Sequence, residues 1–364
     1  MSRILAAAGD PGGAAALIPV LNALAVAGDD TFTLAREPAA GTFESAGFDG
    51  VISVGSWPED VATARRVVGE SGARLVLAAT SMNPGPDMAA LREGKRLGVP
   101  AVCLLDSWTN YERRFLAPGD HEVSVAVLPD ALCVMDEFTV VELTELGFPR
   151  AKMRIVGQPA FDGLVAGAAA DRHPARQALG VGGESLVVFF SQSIAEDYGA
   201  PDAETYRGYD QVIAAEALLS ALREVSDDAL MVVKPHPRER VGRFAHLERK
   251  AEERLRVVPS MRAGDLVAAA DLVVSMTSIT LVEALLAGRP IISLQPGLRS
   301  DDLLVLNRMG VTAPVTDVGL LPDAIRAGLA KTIRDVRGSL PAVWTDGSGT
   351  QRVVDVVREM IQTP

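Results

Sequence analysis

Apolar and polar positions alternate in blocks along this chain, and the blocks switch period. Short continuous apolar runs read as strands buried on both faces, at residues 4–8, 31–34, 50–54, 73–78, 101–105 and 131–134. Between them, spacing of three and four predicts helices. Residues 14–27 carry it through Ala15, Leu17, Ile18, Leu21 and Leu24, and 58–71, 87–97 and 138–146 follow, with Gly98 closing the third. The pattern breaks at 155–157, where Gly157-Gln158-Pro159 marks a domain boundary. A second series follows. Strands are expected at 186–190, 230–234, 255–258, 271–274 and 290–294, and helices at 210–225, 244–252, 261–269 and 281–286. Residues 311–313, 320–337 and 350–362 finish the chain. Strands alternating with helices predict parallel sheets. The fold class is therefore α/β, with two Rossmann-like parallel-sheet domains. Their expected extents are 1–157 and 158–345, followed by a closing helix in 346–364.

Composition narrows the class. The 364 residues are 48% hydrophobic and 23% charged, which suits a soluble α/β protein of two domains. No apolar run approaches the 18 or so residues of a membrane span. The first residues, MSRILAAAGDPGG, read as a strand and a turn rather than a leader. Cys103 and Cys133 lie in apolar strands and are expected as buried thiols, consistent with a cytoplasmic setting. Four histidines without ligand spacing give no metal site. A net charge of −12 argues against nucleic acid as a partner and against an anionic membrane surface.

The chemistry-bearing residues follow strands, where parallel sheets collect ligands. Ser275 to Thr280 forms a hydroxyl-rich turn before the predicted helix, with Glu283 one turn inside it. Thr277, Ser278 and Thr280 suit a diphosphate at the helix start, and Glu283 suits ribose hydroxyls. Thr280-Leu-Val-Glu283 equally fits a capping box, in which Glu283 only satisfies backbone donors. Gly9-Asp10-Pro11-Gly12-Gly13 follows the first strand. Asp10 could act there as a base or bind a sugar, with Gly12 and Gly13 allowing close approach, or the segment is a capped tight turn. Asp106 ends a strand and precedes Ser107-Trp108, a mixture suited to carbohydrate, or Trp108 covers the core edge. Ser191-Gln192-Ser193 could offer donors to a phosphate. Lys234-Pro235-His236-Pro237-Arg238 brings Lys234, His236 and Arg238 to a stiff strand-end loop, where cations could neutralise a diphosphate. The irregular stretch 192–208 is long enough to suggest a functional loop.

Together these segments resemble nucleotide-sugar glycosyltransferases of the GT-B fold, with two such domains facing across a cleft. KPHPR at 234–238 is similar to a motif of bacterial capsule and polymer glycosyl- and glycerophosphotransferases. SMTSITLVEALLAGRPIISLQPG at 275–297 resembles their second motif. That resemblance implies phosphate contacts from Ser278 and Thr280 and a ribose contact from Glu283. VGQPAFD at 156–162 resembles the interdomain crossing, and TDGSGTQRVVDVVREMI at 345–361 the closing helix, which that resemblance implies packs back toward the first domain. The GDPGG turn is similar to the acceptor-side turn of lipid-A-disaccharide synthases, without their glutamate and serine. UDP-N-acetylglucosamine 2-epimerases are a second resemblance. They carry a histidine in a comparable Pro-His loop and a carboxylate where Asp106 falls. Their His-Val-Glu-Ala-Gly run and Asp-Ser-Gly-Gly turn are absent, so this family ranks second.

The resemblance implies transfer of a sugar from a nucleoside-diphosphate sugar to an acceptor hydroxyl. Asp10, Asp106 and His236 would be catalytic, with Gly12, Gly13, Trp108, Ser191, Gln192, Ser193, Lys234, Arg238, Thr277, Ser278, Thr280 and Glu283 binding substrate. No cofactor or metal is expected. The partners would be the sugar nucleotide and a soluble acceptor, and homodimerisation stays open. The alternatives are the epimerase and a non-catalytic nucleotide-sugar binder.

Overall fold

A computed structural model describes residues 1–57, 59–124, 127–166, 172–251, 254–331, 336, 338 and 340–362. Pro58, Glu252 and residues 332–335 and 337, which fall in three of the expected helices, lie outside the described residues. The chain divides into two compact units, Met1–Gly163 with Pro341–Pro364, and Leu164–Leu340.

The first unit is built on seven parallel strands: β1 Arg3–Ala8, β2 Asp30–Arg36, β3 Ile52–Val54, β4 Leu75–Ala79, β5 Ala101–Leu104, β6 Ala131–Val134 and β7 Met153–Ile155. Their order is β3-β2-β1-β4-β5-β6-β7. The order reverses between β1 and β4, which pair in register from Ile4↔Leu75 to Ala7↔Ala78. Small side chains make the middle of this sheet thin. Ala6, Ala7, Ala8, Ala78 and Ala79 are fully buried and let helix Pro11–Val26 pack close. Helix Gly349–Gln362 returns to this unit, and its Val353 and Val357 enter the same core as Leu17, Leu21 and Leu77. Gly157 turns the chain at φ +80°, and a Cβ there would stand 2.5 Å from the Val343 carbonyl oxygen, so only glycine fits.

The second unit holds six parallel strands: β8 Leu186–Phe190, β9 Leu230–Lys234, β10 Leu255–Val257, β11 Leu272–Ser275, β12 Ile291–Leu294 and β13 Pro314–Val315. The order is β10-β9-β8-β11-β12-β13, so the reversal falls between β8 and β11. Both units are therefore Rossmann-like parallel-sheet α/β folds, as the strand–helix alternation predicted. Central strands LVVFF and LVVS are buried at every residue, which explains why they read as unbroken apolar runs. Cys103 and Cys133 are free and buried. No described helix is long and apolar enough to cross a membrane.

Candidate functional site

Each sheet opens a crevice where its strand order reverses, at the carboxyl ends of the two strands flanking the reversal. In the first unit those ends carry Gly9 to Gly13 after β1 and Thr80 to Met82 after β4. Asp10 sits at the N-terminus of helix Pro11–Val26, yet its side chain does not cap that helix. Its Oδ2 instead accepts the Met82 N–H at 2.6 Å, across the reversal. Asp106 follows β5 and accepts the Thr80 hydroxyl at 2.7 Å and the Arg114 guanidinium at 2.5 Å. Gly12 permits this packing, because a Cβ there would lie 3.0 Å from Asp106 Oδ2. Gly13 lies as close to the Thr80 carbonyl, with 3.2 Å from a Cβ. A third carboxylate joins them. Asp87, 2% exposed, accepts the Ser81 N–H at 3.1 Å and the Ser81 hydroxyl at 3.0 Å. The Ser81 hydroxyl also accepts the Gly9 N–H, so Asp87 and Ser81 tie the two turns together.

Three acids in one partly dry crevice cannot all ionise freely. Burial pushes the Asp87 carboxyl up to about 7, and the neighbouring Asp10 and Asp106 add to the rise. Burial also raises Asp106, and the Arg114 guanidinium pulls it back toward the ionised form. Asp87 is thus a carboxyl suited to taking and giving a proton near neutral pH.

Trp108 leaves the expected set. Its ring is 3% exposed, stacked on Phe161 at 6.1 Å and packed on Trp344 at 5.0 Å. Its Nε1–H donates to Asp136 at 2.8 Å. With both faces covered by the core it offers no platform to a sugar ring.

In the second unit the reversal brings Ser191-Gln192-Ser193, after β8, beside Thr277, after β11. Gln192 Oε1 accepts the Thr277 N–H at 2.7 Å. Ser193 donates to Asp197 at 3.0 Å, and Asp197 pairs with both terminal nitrogens of Arg238 at 2.8 and 2.9 Å. The Arg238 charge is neutralised there and exposed to solvent, so it fixes position more than it supplies free charge. The sequence reading missed Glu239. This buried carboxylate accepts the Ser191 hydroxyl at 2.7 Å and the His236 N–H at 2.5 Å, joining the turn after β8 to the loop after β9. Burial raises its carboxyl. Burial and then Arg238 lower the His236 imidazole, favouring its neutral form. Lys234 turns toward the segment after β10 and donates to the Pro259 carbonyl. Lys234, His236, Glu239, Arg243, Phe244 and Pro259 line a cavity of about 310 Å³ beneath the loop.

The turn before helix Thr280–Leu286 settles the capping question. The helix has Ile279 at its N-cap and no side-chain cap. The Glu283 N–H bonds the Ile279 carbonyl at 3.1 Å. Ser278 and Thr280 hydroxyls bond each other at 3.1 Å, and Ser278 Oγ accepts the Thr280 N–H. No capping box forms. The Glu283 carboxylate accepts no hydrogen bond from a described residue, and burial alone raises its carboxyl. Among the described residues, no three His, Cys, Asp or Glu side chains are grouped to hold a metal ion.

No family model and no curated protein matches the sequence. Solved structures do match the fold, along its whole length. A protein from Listeria monocytogenes assigned as a UDP-N-acetylglucosamine 2-epimerase superposes with a TM-score of 0.74 at 15% identity, covering 100% of this chain and 97% of that one. The UDP-N-acetylglucosamine 2-epimerase of Neisseria meningitidis, bound to UDP-N-acetylglucosamine, gives 0.71 at 11% identity, with 98% and 100% covered. That of Methanocaldococcus jannaschii, in complex with UDP-N-acetylglucosamine and UDP, gives 0.67 at 14% identity, with 99% and 100% covered. At these identities the likeness shows the shared fold.

Proposed function

We propose that this protein is an enzyme acting on a nucleoside-diphosphate sugar, with inversion at C2 of UDP-N-acetylglucosamine as its chemistry. The observation that carries the reading is the trio Asp10, Asp87 and Asp106 at the reversal of the first sheet. The full-length likeness to solved 2-epimerases supports this reaction among those that such a trio could serve. Glycosyl transfer from the same donor is the second reading, favoured by the motifs at 234–238 and 275–297. Burial of Trp108 weakens it by removing the aromatic platform expected for an acceptor.

The chemistry sets the requirements. No carbonyl acidifies the proton on C2, so that proton leaves only as the bond from C1 to the diphosphate oxygen breaks. The C2–H electron pair then forms a C1–C2 double bond, the C1–O pair goes to the diphosphate, and a carboxylate takes the proton. Return of a proton to the other face and re-addition of the diphosphate complete the inversion. Asp10 and Asp106 are the proposed proton carriers, with Asp87 holding the turn between them. Charge on the departing diphosphate needs fixed donors. The proposal gives that role to the turns at Ser191–Ser193 and Thr277–Thr280 with His236, and gives Glu283 the ribose hydroxyls. It includes no cofactor or metal.

The test is incubation with UDP-N-acetylglucosamine and no acceptor, with the sugar nucleotides separated by chromatography. The reading expects the C2 epimer to accumulate to an equilibrium mixture, and Asp106→Asn to lower the rate by roughly 10²-fold or more. Turnover that appears only when an acceptor is added would replace it with transfer.

A further inference from the structure

Among the described residues, arginines outnumber the carboxylates they pair with at the other edge of the second sheet, where β8, β11 and β12 begin. Asp271 precedes β11 and holds two arginines at once. Arg172 donates to its Oδ1 at 2.5 Å, and Arg176 to its Oδ2 at 3.1 Å. The Leu186 N–H takes Oδ2 as well, at 2.8 Å. Arg172 and Arg176 spread their remaining donors over the carbonyls of Ala269, Ala270, Gly182 and Glu184. Asp271 brings one negative charge, shared by these two arginines, and a third cation stands near it. Arg289, just before β12, is 7% exposed and makes no side-chain hydrogen bond to a described residue, and its Nε is buried without a partner. The Arg172 Nε is orphaned in the same way. Burial first, then the charge of Arg172, lowers the Arg289 pKa. A buried guanidinium nitrogen without a partner is unfavourable unless something takes its hydrogen bond. Among the described residues, the three arginines and Asp271 leave two positive charges in excess, in a chain of net charge −12. Beside Arg172 and Arg176 opens a cavity of about 680 Å³, lined by these two arginines, Ser185 and Asp271.

We propose that Arg172, Arg176 and Arg289 form an anion site for a phosphate group, separate from the nucleotide site at the carboxyl edge of the same sheet. Arginine suits this role because its planar fork meets phosphate oxygens in pairs. The site does not depend on the proposed reaction, so it can be tested without an activity assay.

The experiment is thermal unfolding of the full chain in rising inorganic phosphate, with ionic strength held constant by chloride. Wild type should gain stability with phosphate in a saturable way. Arg289→Gln should weaken the apparent phosphate affinity by at least about tenfold, the scale of a lost charge-assisted pair. Ser185→Glu places a carboxylate in the cavity and should abolish the response of this site, and it decides the matter if Arg289→Gln does not fold. Ser278→Asp, which puts negative charge in the candidate diphosphate turn, should remove only the phosphate response of that turn and keep the part that Ser185→Glu abolishes. No saturable gain in wild type overturns the proposal. So does a response that Ser185→Glu leaves unchanged, or one that vanishes entirely in Ser278→Asp.

Discussion

Glu283→Gln separates the two roles that its spacing allows, because they predict opposite signs. A carboxylate that caps a helix stabilises it, and losing it costs about 0.5–2 kcal/mol. The structure has no such cap, and burial raises the Glu283 carboxyl from its ordinary value of 4.5. With the folded-state pKa above the unfolded one, the group favours the folded state fully below the unfolded value. That contribution is lost as pH rises through the folded value. At pH 8 the ionised group therefore weighs against folding, by about 1.4 kcal/mol for each unit of difference between the two pKa values. Glutamine does not titrate. Glu283→Gln should therefore match or exceed wild type in urea midpoint at pH 8, with the advantage shrinking toward pH 5.5. In the same variant UDP affinity should fall by roughly tenfold or more, as expected for a hydrogen bond to a charged group worth about 1.5–3 kcal/mol. A variant less stable by about 1 kcal/mol at pH 8, with UDP affinity unchanged, would show that the residue serves the helix and not a ligand.

Asp87 gives a second pH signature. Its carboxyl is pushed up to about 7 from 3.8, so wild type should lose stability relative to Asp87→Asn as pH rises from 4 through 7. The slope should reach at most about 1.4 kcal/mol per pH unit, read from urea midpoints, and parallel pH curves would contradict it. Asp136→Ala should be severe. It strips the acceptor from the indole N–H groups of Trp108 and Trp344 and from the Thr139 N–H and hydroxyl. A loss of about 3–5 kcal/mol with a red shift in tryptophan emission is expected, and a loss under 1 kcal/mol would refute the shared-acceptor account. Glu239→Ala should destabilise the second unit by about 2–3 kcal/mol, by leaving Ser191 and the His236 N–H unpaired, and should weaken UDP binding. Unchanged UDP affinity would mean that the His236 loop does not serve the nucleotide.

Much of the fold was legible because a parallel sheet buries both faces of its strands. LVLAA and LVVFF could be recognised from composition alone. Short edge elements were not. β7 is three residues long and includes Arg154, so no apolar run announces it. Helix Ala39–Ser45, AAGTFES, has too little amphipathic spacing to stand out. The turns after β1, β8, β9 and β11 were legible as candidate sites because glycine, hydroxyl and charged residues replace apolar ones there. Their partners were not. Asp87 lies in NPGPDM and Glu239 one residue past the loop motif, and each gains its role only when two non-adjacent segments meet. Trp108 erred in the other direction. A tryptophan in a polar loop suggests a sugar platform, but the Asp136 carboxylate draws its N–H into the core.

The central claim concerns a proton at C2. It is tested most directly by incubating the protein with UDP-N-acetylglucosamine in D₂O, without acceptor, and following the sugar C2 position by NMR. The account predicts the C2 epimer, with one solvent deuteron at C2 of the product, and near-complete loss of that exchange in Asp106→Asn. A sugar nucleotide that binds but keeps its C2 proton and configuration would contradict it.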